Sequence, residues 1–280
     1  MPFRAKISRV MADYVTLRRG RNALSTATHI ILNVGLAIAT TALTVVSANW
    51  VFTVLLVILS KWRVIAVRPR YWWLNIKANL VDFIVGISIV LLVFLANPSG
   101  GVPNFWQIFL TIVYIIWLVG IKPRSTTRAT EIQALFAVFF GAFALSLVTA
   151  SIDPVVGVII SFIIGYGATR HVLMQGDDHD FTITTFIFGM MMSELYWIFY
   201  HWTITYTLGR TIENGFITSF AIPQFPIVAT IMLFVFSRGY KSAIRHDGKI
   251  RADDILAPAI FSALVMVLMI FVYSVPNFNI

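Results

Sequence analysis

Two stretches of the chain, Asn22 to Ser60 and Phe83 to Ile121, contain no Asp, Glu, Lys or Arg, and each runs for 39 residues. At about 1.5 Å of rise per residue, such a run is roughly 58 Å of helix, enough to cross a ~30 Å hydrocarbon core twice. Barrel strands alternate polar and apolar positions, whereas these runs are apolar throughout, so the pattern predicts helices. Aqueous breaks divide the sequence into nine predicted helices. They cover approximately His29–Ser47, Trp50–Val67, Asn79–Leu95, Asn104–Ile121, Glu131–Ala150, Pro154–Val172, Phe181–Thr207, Ile217–Phe236 and Ile255–Ser274.

The basic residues give this pattern a direction. With nine crossings and a cytoplasmic N-terminus, 20 of the 21 Lys and Arg fall on the inside, and only Arg210 falls outside. Counting His29–Ser60 as one crossing instead gives eight helices and a 14 to 7 split, a far weaker bias. The expected architecture is therefore all-α: a polytopic transmembrane bundle of about nine helices, N-terminus cytoplasmic and C-terminus outside. Residues 1–22 form a separate unit ahead of the transmembrane domain at 23–280. In it Phe3, Ile7, Val10, Met11, Tyr14 and Val15 recur at helical spacing against Arg4, Arg9 and Arg18. That pattern predicts an amphipathic helix lying on anionic lipid of the inner leaflet. Val46-Ser47-Ala48 has the small residues of a signal-cleavage site. The 28 residues before the first crossing make too long a leader, and cleavage is not expected.

Composition supports the membrane assignment and excludes other classes. Hydrophobic residues make up 59% and charged residues 12%, about half the share usual in a soluble domain. There is no cysteine, which removes a disulfide scaffold. The net charge of +9 follows from topology, so no nucleic-acid partner is called for. Trp62, Tyr71, Trp72 and Trp73 alternate with Lys61, Arg63, Arg68 and Arg70, as expected where aromatic rings and long cations sit at a membrane interface. Small residues at four-residue spacing, Gly157, Ser161 and Gly165 in helix six and Ala137 and Gly141 in helix five, predict close helix packing.

Ionisable groups at membrane depth are the natural functional candidates. Asn79-x-x-Asp82 reads as a capping pair at the start of helix three. Glu194 falls roughly 20 Å along helix seven from its inner boundary, past the midplane, with His201 further along the same face. On helix eight, Pro223 and Pro226 either interrupt the helix and free carbonyls or mark its start, and Gln224 adds an amide between them. These positions suggest a polar substrate-binding pocket in the outer half, lined by Glu194, His201 and Gln224.

The inside loop between helices six and seven carries Gly176-Asp177-Asp178-His179-Asp180. Asp177, Asp178 and Asp180 are oxygen donors of the kind Mg²⁺ prefers, and such a site often bridges substrate phosphates. The layout resembles that of membrane prenyltransferases of the UbiA type, which have nine helices and acidic cytoplasmic loops. That family has two Asp-rich motifs, and here Lys122–Arg128 carries no acid and the loop before helix three only Asn75, Asn79 and Asp82. No phosphate-binding glycine loop, HExxH, GxSxG or CxxC is present.

The sequence thus predicts a multi-pass protein of the cytoplasmic (inner) membrane that binds or moves a small or lipid-like substrate. Two other readings stand beside it: a divalent-metal-dependent transferase acting on a phosphate-bearing lipid, and a non-catalytic scaffold or accessory subunit with a protein partner or a second copy of itself.

Overall fold

In the computed structural model, residues 2–174, 181–208 and 220–272 are described. The chain folds as α1 (Pro2–Ser47), α2 (Trp50–Ser60), α3 (Trp62–Ile65), α4 (Trp72–Ala78), α5 (Leu80–Ala96), α6 (Phe105–Ile116), α7 (Thr127–Val148), α8 (Pro154–Leu173) and α9 (Phe181–His201). Then come β1 (Thr205–Leu208), β2 (Phe220–Pro223), α10 (Gln224–Arg245) and α11 (Ala252–Val272). Among the described residues the fold is all-α apart from one short antiparallel pair of strands. Each of the nine predicted apolar segments is built around a helix.

Among the described residues, six helices are long and apolar enough to cross a membrane: Leu24–Ser47, Thr127–Ser151, Pro154–Leu173, Thr182–His201, Gln224–Arg245 and Ala252–Met269. The chain therefore has the architecture of a multi-pass membrane protein. The three other segments are short. Helix α2 has 11 residues, α5 has 17, and α6 with the π-helical turn that continues it covers Phe105–Ile121. The segment Pro69–Ala78 meets α5 at a bend of 68°. The N-terminal residues expected to form a separate amphipathic helix are continuous with the first crossing, in a single helix of 46 residues.

Local chemistry explains the boundaries. Asn104 and Gln107 form a reciprocal capping box at the start of α6, and Asp153 caps α8 with Pro154 in its first turn. Helix nine ends at His201 rather than Thr207, because Thr205–Leu208 pairs antiparallel with Phe220–Pro223. Helix α10 begins at Gln224 with Pro223 as its N-cap. Of the two sequence alternatives for the prolines, the helix start holds: Pro226 lies in the first turn, where its missing N–H has no intrahelical partner to lose.

The hydrogen bonds sort the helix termini into two ends. At one end, Gly101 N–H donates to Val45 O at 3.4 Å, Gln224 N–H to Ile204 O at 2.8 Å, and the Tyr206 hydroxyl to Met269 O at 3.2 Å. At the other end are Lys61, Asp82, Lys122, Glu131, His171, Lys241 and Asp254, tied to one another in the groups described below. Helix α7 lies at the centre and packs against α5, α8 and α10. The α8–α9 contact is the closest: a side chain at Gly157 would overlap Tyr196, and one at Gly165 would overlap Met192. Two hydroxyls reinforce it, Ser161 donating to Met192 O at 2.7 Å and Ser193 to Val158 O at 3.0 Å.

Candidate functional site

Helix α2 is cut short by Lys61. Its 11 residues rise roughly 16 Å from the tight turn at Ala48, about half a hydrocarbon core. The Lys61 ammonium is buried against α5. Asp82 Oδ2 accepts from Lys61 at 2.9 Å and from Lys122 at 2.8 Å, and Asp82 Oδ1 accepts from the Trp117 indole at 3.3 Å. Lys61 also donates to the Asp82 backbone carbonyl and lies 4.7 Å from the centre of the Phe83 ring.

Asp82 is thus no helix cap, contrary to what its spacing from Asn79 suggests. Asn79 makes no side-chain capping bond, and its amide donates instead to Asn75 O at 2.9 Å. The carboxylate is the shared counter-ion of two lysines, one fully enclosed at 6% side-chain exposure and one at the rim at 38%. Two cations on one carboxylate leave the cluster positive. Beside it, the Tyr114 hydroxyl is buried without a hydrogen-bond partner. A side-chain carbon on Gly86 would overlap Val57 at 2.8 Å and touch both that hydroxyl and the Lys61 ammonium at 3.4 Å, so glycine lets α2 approach α5 closely here.

Lys122 is delivered by the π-helical turn Trp117–Ile121, a geometry often found at functional positions. Trp117 stacks on Phe136 of α7 at 5.2 Å between ring centres. Gln133, also on α7, holds the end of this turn: its amide donates to the carbonyls of Ile121, Lys122 and Arg124 at 2.8, 3.2 and 2.8 Å. Its oxygen pairs with His171 of α8 at 2.6 Å. One side chain therefore fastens three helical elements. Further round, Lys241 of α10 pairs with Glu131 of α7, and Asp254 of α11 accepts from Ser242 at 2.8 Å and lies 3.2 Å from His246.

Two cavities open beside this polar layer. The first, about 210 Å³, is lined by Arg128, Glu131, Ile132 and Leu135 of α7, Val172 of α8, and Leu233, Phe234, Ser237 and Arg238 of α10. The second, about 460 Å³, lies between the α6 π-turn and α7, where Ile116, Gly120 and Ile121 face Arg124, Thr126, Arg128, Ala129 and Ile132. Arg128 and Ile132 border both. Their walls are mostly apolar, with the charges of the three arginines at their edges.

The residues expected to form an outer-half pocket differ in exposure. Glu194 and His201 are exposed on α9, and His201 packs edge-on against Trp197 and Tyr200 at 4.7 and 5.0 Å. Gln224 is buried and lines a small recess of about 10 Å³ with Ser146, Thr149, Tyr196 and Tyr200. Asp177, Asp178 and Asp180 lie outside the described residues. The buried lysines and the arginine-edged cavities escape motif reading, yet one signal marks part of them: Lys61 and Lys122 are the first residues after the two uncharged runs, and Asp82 is the last before the second. No family model, curated protein or solved structure matches the chain.

Proposed function

We propose that the protein binds a small or lipid-like substrate within the membrane, at the paired cavities beside α7, and moves it along the bundle. The observation that carries this reading is that pair of cavities, 210 and 460 Å³, with apolar walls and a common border at Arg128 and Ile132. Pockets of this size, mainly apolar with a few convergent polar groups, suit small amphiphiles. The charged cluster supports the same reading, because ionisable groups at membrane depth are costly and mark pathways more often than packing.

In this proposal the chain crosses the cytoplasmic membrane nine times, with the basic end inside and the C-terminus outside, by the positive-inside rule. Residues 1–22 rest on anionic inner-leaflet lipid before the chain enters the bilayer. Glu194 and His201 form a polar step on the outer half of α9, and Gln224 a separate buried contact behind it.

A diazirine-bearing lipid, photo-activated on the reconstituted protein, tests the assignment. Cross-links are expected to concentrate in peptides containing residues 116–132 and 233–238, and to fall several-fold when Leu135→Trp fills the first cavity. Labelling spread evenly over the lipid-facing helices, and unchanged by that substitution, would overturn it.

A further inference from the structure

The charges around the two cavities do not cancel. Glu131 is the only acid in either lining, and Lys241 neutralises it. Arg124, Arg128 and Arg238 make no ion pair with an acid among the described residues. Arg238 is steadied by the Phe234 ring, 5.3 Å from its guanidinium carbon, and both side chains face the smaller cavity. Arg128 borders the same cavity from α7. The 210 Å³ space is therefore flanked by guanidinium groups from two different helices, over a wall of Ile132, Leu135, Val172 and Leu233.

Guanidinium forks match phosphate oxygens in pairs, and two arginines bordering one cavity suit an anion carrying more than one acceptor edge. The apolar wall beneath them suits an acyl chain. A free anion would leave that wall uncovered, and a neutral lipid would leave the arginines unanswered. We infer that the cavity edged by Arg128 and Arg238 is a headgroup site for an anionic phosphate lipid, with an acyl chain running along Ile132 and Leu135. This rests on the proposal that the cavities hold a lipid-like substrate and names its chemical class. Arg124, on the far side of Arg128 at the second cavity, provides the adjoining charge as the lipid enters or leaves.

The test uses the full chain in detergent micelles, with binding read by native mass spectrometry. The probes are phosphatidic acid, phosphatidylcholine and diacylglycerol with identical acyl chains, and inorganic phosphate alone. Phosphatidic acid is expected to bind at least roughly tenfold more tightly than the other two lipids, and R128Q/R238Q to abolish that preference. R128K/R238K, which keeps the charge and loses the fork, should recover only part of it. Lys249→Gln removes a cation from an exposed loop at the same end and should leave the preference intact. Thermal unfolding of each variant shows that it is folded. Equal binding of all three lipids would overturn the headgroup assignment while leaving a lipid site in place. Binding of no lipid would overturn both that assignment and the proposed function. A preference kept by R128Q/R238Q would place the headgroup away from this cavity, and one lost equally in Lys249→Gln would place the effect in the net charge; either overturns the assignment. Inorganic phosphate binding as tightly as phosphatidic acid would make the ligand a free anion and overturn the lipid.

Discussion

Asp82 and Lys122 stand at opposite ends of one uncharged run of 39 residues and meet at 2.8 Å. The run leaves the polar layer as α5, turns at Asn97–Gly101 and returns as α6, so the two charges that bracket it in sequence close it in space. Lys61, the first charge after the other uncharged run, joins the same carboxylate. Three of the first four apolar segments are thereby tied to one buried anion. Lys122 then passes the connection to α7 through Gln133, which binds its carbonyl, and α7 carries the cavity wall.

Replacing Asp82 with Asn should be the most damaging single change in this cluster. It strips both lysines of their counter-ion and leaves Lys61 enclosed with an unpaired charge, a situation that costs about 3–5 kcal/mol in buried pairs. Lys122→Gln should cost much less, because Lys122 is partly exposed and Asp82 keeps Lys61. The double variant D82N/K61M should be more stable than D82N alone, since the stranded charge is gone. Thermal unfolding in detergent gives the order. Equal melting temperatures for D82N and Lys122→Gln would show that the cluster is solvated rather than buried.

The helical character of the apolar segments is legible in the sequence, because continuous apolarity is a local signal. The role of Asp82 is not. Its nearest polar neighbour, Asn79, gives it the spacing of a cap, while its real partners lie 21 residues before it and 40 after it. Nothing local encodes such pairings. Helix lengths fail for a related reason: α2 stops at Lys61 because that ammonium finds a buried partner, and α9 stops at His201 because Thr205–Leu208 finds a strand to pair with. Pro223 and Pro226 show the reverse case, in which two structures are open to the local sequence and the pairing of Phe220–Pro223 with Thr205–Leu208 chooses the helix start. Glu194 draws notice as an acid in an apolar helix. Only the packed structure reveals that its side chain is exposed on α9.

The small-residue spacing on α8 makes a sharper prediction. Gly157→Ala should destabilise the α8–α9 contact, because the added methyl overlaps the rigid phenol of Tyr196. A cost of about 1–3 kcal/mol is expected for such overpacking. Gly35→Ala on α1 is the control. Nothing lies within 4 Å of a methyl there, so the substitution should be neutral or stabilise by up to about 1 kcal/mol through helix propensity. Similar losses at both positions would mean that backbone conformation, not contact, governs the effect.

Gln133→Leu should loosen the π-turn without emptying the core. It removes the donor to three carbonyls and the partner of His171, and a lost buried hydrogen-bond partner costs about 1–3 kcal/mol. Because Ile121 and Arg124 line the larger cavity, the effect should also reach ligand binding. Amide exchange at Ile121, Lys122 and Arg124 should quicken more than exchange in α8. Uniform loss of protection across the bundle would instead identify Gln133 as a general stability determinant.

The proposed topology is testable with little engineering, because the chain has no cysteine and any single-cysteine variant reports one site. Arg70, Ser99, Arg124, Ser151, Thr203 and Lys249 are all exposed. A membrane-impermeant maleimide applied to intact cells should label Ser99→Cys, Ser151→Cys and Thr203→Cys. Arg70→Cys, Arg124→Cys and Lys249→Cys should react only after permeabilisation. Arg70 decides between topologies, since it follows the short helix α2. Reaction together with Arg124 and Lys249 means that α2 and the segment beyond it complete a crossing, as nine spans require. If Arg70→Cys resists the reagent from both faces while the other five behave as stated, the chain at that point is embedded, and the bend of 68° before α5 belongs to a re-entrant segment rather than to the end of a span.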